Sequence, residues 1–374
     1  MRTDGISVET RLAASKATGK RLPAFRLALL RWYDQNRRNL PWRETRDPYR
    51  IWLSEIMLQQ TRVAAVIDHY RIFLQRFPNA QALAASSEDS VLAAWSGLGY
   101  YRRARMLHGC AQEIVQKHGG RFPRNSEALL ALPGIGRYTA AAIASIAFAE
   151  TVAVVDGNVE RVLQRLIGIN LSAPQTWQHA QALLDNVRPG DFNQAMMELG
   201  ATVCVPRAPC CLACPVRKWC GTRGEVARAV GVEHMRASRQ NKKQIWCALE
   251  WRKGEGNANS NSNDRGNGEI RLVQRPRKAS LMPGMWELPQ SFEAPRTTLH
   301  TAPWRTFRHS ITVTDYTVHV LRNAPVQTVW PPSKRGISSL PHKTAKSKWI
   351  AIDRIPQMPI TGLTRKILKA GGII

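Results

Sequence analysis

The sequence predicts a mainly α, two-lobed domain followed by a smaller α+β domain. Three observations lead there. From Pro23 to about Leu199, apolar residues recur at helical spacing between short turns that carry Gly or Pro. Five of the seven cysteines crowd between Cys204 and Cys220. Beyond about Gln244, helical spacing gives way to runs rich in β-branched and aromatic residues.

In chain order, residues 1–22 mix Arg, Lys, Ser and Thr with Asp4 and Glu9 and lack the apolar core of a secretory signal. They read as a flexible tail. The helical domain is expected over 23–221. Asp47-Pro48 pairs a capping residue with a favoured first helical residue. Behind it Tyr49, Trp52, Leu53, Ile56, Val63, Ile67 and Tyr70 follow a helical stripe. Turns at Gly97-Leu98-Gly99, Gly119-Gly120, Pro133-Gly134 and Asp156-Gly157 divide the region. No fixed period repeats, which excludes a solenoid. Residues 222–243 are basic with little apolar periodicity and read as a linker. In the domain expected over 244–374, strands are predicted at Ile245–Trp251, Ile270–Gln274 and Ile311–Leu321. Between the first two, residues 254–268 are dense in Asn, Gly and Ser, a disordered hairpin insertion.

Charge narrows the partner. Fifty-four Lys and Arg against 27 Asp and Glu give +27. Such an excess repels itself unless a polyanion offsets it. Nucleic acid fits best, with an anionic membrane as the rival; no basic amphipathic anchor or apolar span supports the membrane.

Cys204, Cys211, Cys214 and Cys220 are spaced C-x6-C-x2-C-x5-C. Four thiolates in one short loop can wrap tetrahedral zinc or a [4Fe-4S] cube. Zinc ribbons usually use two close pairs set far apart, which this is not. The spacing resembles the cluster loop of the helix-hairpin-helix DNA glycosylases, and so implies a [4Fe-4S] cofactor over 204–220. Arg207 and Arg217 within the loop would face outward toward phosphate.

Residues 126–148 add a second resemblance. Ser126 is read as the cap of a short helix to Leu132. Pro133-Gly134-Ile135-Gly136 turns sharply, and Arg137 starts an Ala-rich helix to Phe148. Glycines allow left-handed angles, and the new helix start exposes N–H groups to an anion. The run from Leu132 to Ala140 is similar to the superfamily's helix-hairpin-helix motif, with Gly134, Gly136 and Arg137 at the DNA backbone.

Periodicity alone puts Glu55 on a polar helix face with Gln59 and Arg62. The run Trp52 to Thr61, however, closely resembles the signature of MutY-type adenine DNA glycosylases. That resemblance implies Glu55 is the acid that protonates adenine. It implies that Asp156, in Val154-Val155-Asp156-Gly157-Asn158, stabilises the sugar cation or forms a transient adduct, with Asn158 orienting it. Endonuclease III-like relatives carry a lysine at the position of Tyr138, whose amine allows strand cleavage. Tyr138 therefore implies base removal without strong lyase activity. Gln60 is the implied intercalator on the lesion side, with Thr61 also implied at the DNA. Gly97 to Tyr101 is the implied wedge loop, with Tyr100 inserting and Leu98 in support, and Arg102, Arg103 and Arg105 gripping nearby phosphates.

Arg275-Pro276 and Gly284-Met285-Trp286-Glu287-Leu288-Pro289 resemble the MutT/Nudix-like domain of the same family. The R-E-x-x-E-E run of a Nudix hydrolase is absent from the sequence, so binding of 8-oxoguanine rather than hydrolysis is implied. After Phe307-Arg308-His309 the family's Phe-Ser-His trio is replaced by Ile311-Thr312-Val313, leaving Thr312 and His309 as candidate lesion contacts. The expected whole is a monomeric, monofunctional adenine glycosylase acting on duplex DNA with A:8-oxoguanine or A:G mispairs, cytoplasmic and nucleoid-associated if bacterial. The alternatives are a non-catalytic DNA-binding iron–sulfur protein and an endonuclease III-like glycosylase/lyase.

Overall fold

The Asp47 carboxylate accepts the backbone N–H groups of Tyr49 and Arg50, and Pro48 opens a helix, as its sequence requires. In this computed structural model the described residues are 18–222, 241–253, 268–294, 302–311, 314–323 and 346–374. The basic segment 223–240 and most of the Asn/Gly/Ser insertion lie outside them, as do Thr312 and Val313. The helices are α1 (Thr18–Asn36), α2 (Pro48–Leu58), α3 (Val63–Arg76), α4 (Ala80–Ala84), α5 (Glu88–Trp95), α6 (Arg102–His118), α7 (Ser126–Leu130), α8 (Arg137–Phe148), α9 (Gly157–Ile167), α10 (Ala173–Leu183), α11 (Pro189–Thr202) and, near the end of the chain, α12 (Gly362–Ala370). Among the described residues, no helix is long and apolar enough to cross a membrane.

The chain forms two compact units. Among the described residues, the first comprises 18–70, 79–84 and 109–222; the second joins 71–78 and 85–108 to those from 241 onward. In the first, Phe25 and Leu29 of α1 share a core with Val162 and Leu166 of α9, Leu183 of α10, and Phe192 and Met196 of α11. α8 packs against α2, α7 and α11. The short helix α7 is capped one residue earlier than expected: the Asn125 side chain accepts from Ala128 N–H. Ser126 instead gives its N–H and hydroxyl to Glu150, at 2.6 and 2.7 Å.

Among the described residues, the second unit holds two four-stranded sheets. β1 (Asn241–Leu249) lies parallel to β7 (Thr314–Arg322), with β5 (Gln290–Ser291) and β6 (Arg305–Ile311) outside them. In the other sheet, β3 (Gly268–Gln274) pairs with β2 (Trp251–Lys253), β4 (Trp286–Glu287) and β8 (Ser347–Ala351). β2 and β3 pair antiparallel, so the Asn/Gly/Ser insertion joins two strands of a hairpin. β1 starts at Asn241, inside the stretch read as linker, and the single strand expected to start at Ile311 is the hairpin β6–β7. β6 has only Phe307 and Ile311 as large apolar residues, too few to mark it by composition. Ile270, Leu272, Val318, Val320, Ile367 and Leu368 form the core.

Candidate active site and cysteine loop

Helix α2 is buried along Ile51 to Met57, so Glu55 is in the interior, while Gln59 and Arg62, placed on the same face by periodicity, are exposed. Glu55 is only 7% exposed. Packing of α8 against α2 brings the Tyr138 hydroxyl to Glu55 Oε2, where it donates at 2.7 Å. The same hydroxyl lies 3.4 Å from Met197 Sδ on α11. Burial pushes the Glu55 carboxyl up to about 7; the Tyr138 bond and the Arg43 charge oppose the rise, and the Asp156 charge adds to it. Burial, with the charges of Glu55 and Asp156, holds the Tyr138 phenol neutral.

Asp156 is the N-cap of α9, so its local structural role and its place beside Glu55 coexist. One oxygen accepts Asn158 and Val159 N–H at 2.9 and 2.7 Å, and the other accepts the Asn158 side-chain amide at 2.9 Å. Three donors hold this carboxylate in one orientation. α11 comes so close to α9 that a Cβ on Gly200 would sit 2.6 Å from Asn158 Cβ, so glycine is required there. Arg161, 9% exposed, donates to Asn158 Oδ1, to the Gly200 carbonyl and to the Cys204 carbonyl. One guanidinium thus fixes the amide that orients Asp156 and the entry to the cysteine loop.

Sequence reasoning missed Arg161, and it missed Glu198. The Glu198 side chain is fully buried and binds Arg38 at 2.7 Å and Arg43 at 2.8 Å. Burial opposes its ionisation, but the two guanidiniums together hold its carboxyl down at about 2. Partners 155 and 160 residues away leave no local trace in sequence.

The four cysteines and Arg165 wall a cavity of about 30 Å³. Arg165, 1% exposed, donates to the carbonyls of Val205 and Pro206 and lies 3.5 Å from Cys204 Sγ. Among the described residues, no three His, Cys, Asp or Glu side chains are grouped to hold one metal ion. Arg207 and Arg217 are exposed.

At the hairpin, Gly134 has φ +80°, a left-handed turn that glycine adopts without strain. Gly136 is the extended N-cap of α8. The Arg137 guanidinium stacks 3.9 Å from the Trp177 ring centre. Gln60 and Tyr100 are both exposed and both have positive φ, +55° and +47°. Leu98, expected beside Tyr100 in the wedge, is 6% exposed: its apolar side chain turns into the core. Arg103 and Arg105 also turn inward. The first donates to the Leu98 and Gly99 carbonyls and lies against the Trp95 and Tyr100 rings. The second binds Glu88 and the Pro283 carbonyl, so of the three arginines Arg102 is the exposed one.

Comparison with known proteins fits this geometry. The HhH-GPD superfamily base excision DNA repair protein family matches residues 53–189. The solved structure of a thermostable thymine-DNA glycosylase is 33% identical, with a TM-score of 0.52 over 98% of that chain and 55% of this one. This chain belongs to the HhH-GPD superfamily. The family match contains Glu55, Tyr138, Asp156 and Asn158 and ends before the cysteines. Within the superfamily, the chain is 43% identical over 310 residues to mouse adenine DNA glycosylase, covering 71% of this chain and 60% of that one. It is 51% identical over 218 residues to the human adenine DNA glycosylase, covering 54% and 40%. The chain therefore spans about half the length of these curated relatives.

Proposed function

We propose that this HhH-GPD protein is a monofunctional adenine DNA glycosylase of base excision repair, acting on adenine opposite 8-oxoguanine or guanine. The observation that carries the reading is the buried Glu55 carboxyl, poised near 7 and hydrogen-bonded by Tyr138 beside Asp156. A group with that affinity for protons carries one at neutral pH often enough to donate it to a departing base. Tyr138 leaves the other Glu55 oxygen for the proton. Asp156, held in place by its three donors, would face the cation that develops on the sugar. No amine stands at position 138, so water rather than an amine adds to the sugar cation at C1′, giving an abasic site in an intact strand. The adenine glycosylase relatives support the choice of base.

Duplex DNA is the partner the surface favours. Gly134, Gly136 and Arg137 would take the backbone, Thr61 would lie beside Gln60, and Arg207 and Arg217 would take further phosphates. The β-rich part would read the opposite base as a MutT/Nudix-like module. There Glu287, within the Gly284–Pro289 run, is buried in a pair with Arg275 at 2.9 Å. That supports binding over hydrolysis, because the carboxylate is already committed. Burial and the nearby Lys366 charge hold His309 down, so it would meet a base as a neutral ring. Its companion Thr312 lies outside the described residues.

The direct test is incubation with duplexes bearing A:8-oxoguanine, A:G and A:T, scoring abasic sites before and after alkali. Release of adenine from the first two, with strand breaks only after alkali, is expected. No adenine release from any duplex would overturn the proposal.

For the cofactor, four thiols that line one small cavity at the C-x6-C-x2-C-x5-C spacing fit a [4Fe-4S] cube. Cys204, Cys211, Cys214 and Cys220 would hold it, and it would supply a rigid centre that shapes the basic loop. Iron with inorganic sulfide is expected on elemental analysis. Cys204→Ser is expected to lose both and to weaken duplex binding about tenfold as Arg207 and Arg217 lose their placement. Stoichiometric zinc without iron would contradict this.

A further inference from the structure

The second unit contains an arrangement that base excision alone does not use. Ser96 and Tyr101 flank the turn Gly97–Tyr100, and both are buried, at 3% and 4% exposure. The Ser96 hydroxyl donates to the Ile360 carbonyl at 2.8 Å, and the Tyr101 hydroxyl donates to the same carbonyl at 3.3 Å. Arg365 on α12 donates to Ser96 Oγ at 2.8 Å. The carbonyl is itself held firmly. Pro359 accepts from Trp286 N–H and Thr361 gives its N–H to the Trp286 carbonyl, so the stretch around Ile360 is laced to β4. Ile360 is wholly buried. Just before β4, the Pro283 carbonyl accepts Arg105 at 2.6 Å, a third tie to the segment that carries the turn.

Inside the turn, Tyr100 keeps a left-handed backbone and 48% exposure while its ring rests against the Arg103 guanidinium. Such a strained backbone persists only where its surroundings over-determine it. Here the determinants are bonds to two stretches, 283–286 and 359–365, of the β-rich part.

We propose that Ser96 and Tyr101 are positioning residues that tie both sides of the Tyr100 turn to Ile360, so that the seating of these two stretches sets the insertion of the Tyr100 ring. Binding of the opposite base by the β-rich part would then bias extrusion of the adenine through a shared carbonyl. The inference rests on Tyr100 acting as the wedge.

Its test is a cycle of three full-length variants: Ser96→Ala/Tyr101→Phe, Tyr100→Ala, and all three changes together. Base extrusion is read by the fluorescence of a 2-aminopurine in place of the target adenine, and adenine release by single-turnover kinetics. Duplex affinity is measured in parallel. The double variant is expected to extrude and release about tenfold more slowly, with duplex affinity nearly unchanged. In the Tyr100→Ala background the same pair of changes is expected to add nothing, because its effect passes through the ring. Parental rates in the double variant, or effects that multiply with Tyr100→Ala, would overturn the coupling while leaving the wedge intact. A parental rate in Tyr100→Ala would remove the wedge and the coupling together. Tyr101→Phe alone keeps the aromatic core and carries the same cycle if the double variant fails to fold.

Discussion

Glu55→Gln is expected to bind duplex DNA as the parent does and to release adenine about a thousandfold more slowly. The amide has the shape of the acid and still accepts the Tyr138 hydroxyl, but it cannot give up a proton to the base. Single-turnover release at saturating protein, beside a binding isotherm, separates the two effects. Loss of binding in step with rate would show that Glu55 serves the fold instead. The variant also carries a stability signature with a definite sign. Folded Glu55 holds its proton up to about 7 against an ordinary 4.5, so folding takes up a proton between those values. Stability therefore falls as pH rises through that window and levels above it, by about 3 kcal/mol if burial is complete. Gln has no such cost. Its melting temperature should exceed the parent's at about pH 8 and match it at about pH 4.

The second large effect is expected at Glu198→Gln. Removing one charge from a fully buried carboxylate with two arginine partners leaves guanidinium charge uncompensated, at a cost of about 3 kcal/mol. Arg43, 10% exposed, should account for most of it, since Arg38 keeps 40% of its side chain in water. The pH dependence is opposite to that of Glu55. The Glu198 carboxyl is held down at about 2, so its contribution is present above its ordinary 4.5 and is lost as pH falls through about 2. Chemical denaturation of the variant and the parent should converge at low pH. There is a catalytic consequence too. Arg43 lowers Glu55, and without Glu198 it would do so with less compensation, so adenine release should fail at a lower pH than in the parent. An unchanged alkaline limb would separate the two carboxylates.

What could be read from sequence was what is written in short runs. The Asp47-Pro48 helix start, the hairpin at Gly134 and the α8 span Arg137–Phe148 are set by residues next to one another. The cysteine spacing is equally local. Glu55 was legible only by resemblance, because helical periodicity puts it on a solvent face and tertiary packing buries it. Glu198 with Arg38 and Arg43, and Arg161 with Cys204, were invisible because each pair is assembled from distant parts of the chain. Leu98 shows the converse error. Two flanking glycines suggest a protruding loop, but burial of an apolar side chain decides its direction. The association of 85–108 with the β-rich part, through Ser96, Tyr101 and Arg105, likewise depends on backbone carbonyls that any sequence supplies.

Gln60 and Tyr100 hold backbone angles that a glycine would adopt free of strain, and each non-glycine residue costs roughly 1–2 kcal/mol in that region. A search for thermostable variants would accordingly be drawn to glycine at both positions. Each such gain in melting temperature would remove from the surface one of the two side chains that the family resemblance implies enter the duplex. At these two residues robustness and repair pull in opposite directions, and a more heat-resistant form of the protein is the one to suspect of leaving its mispairs untouched.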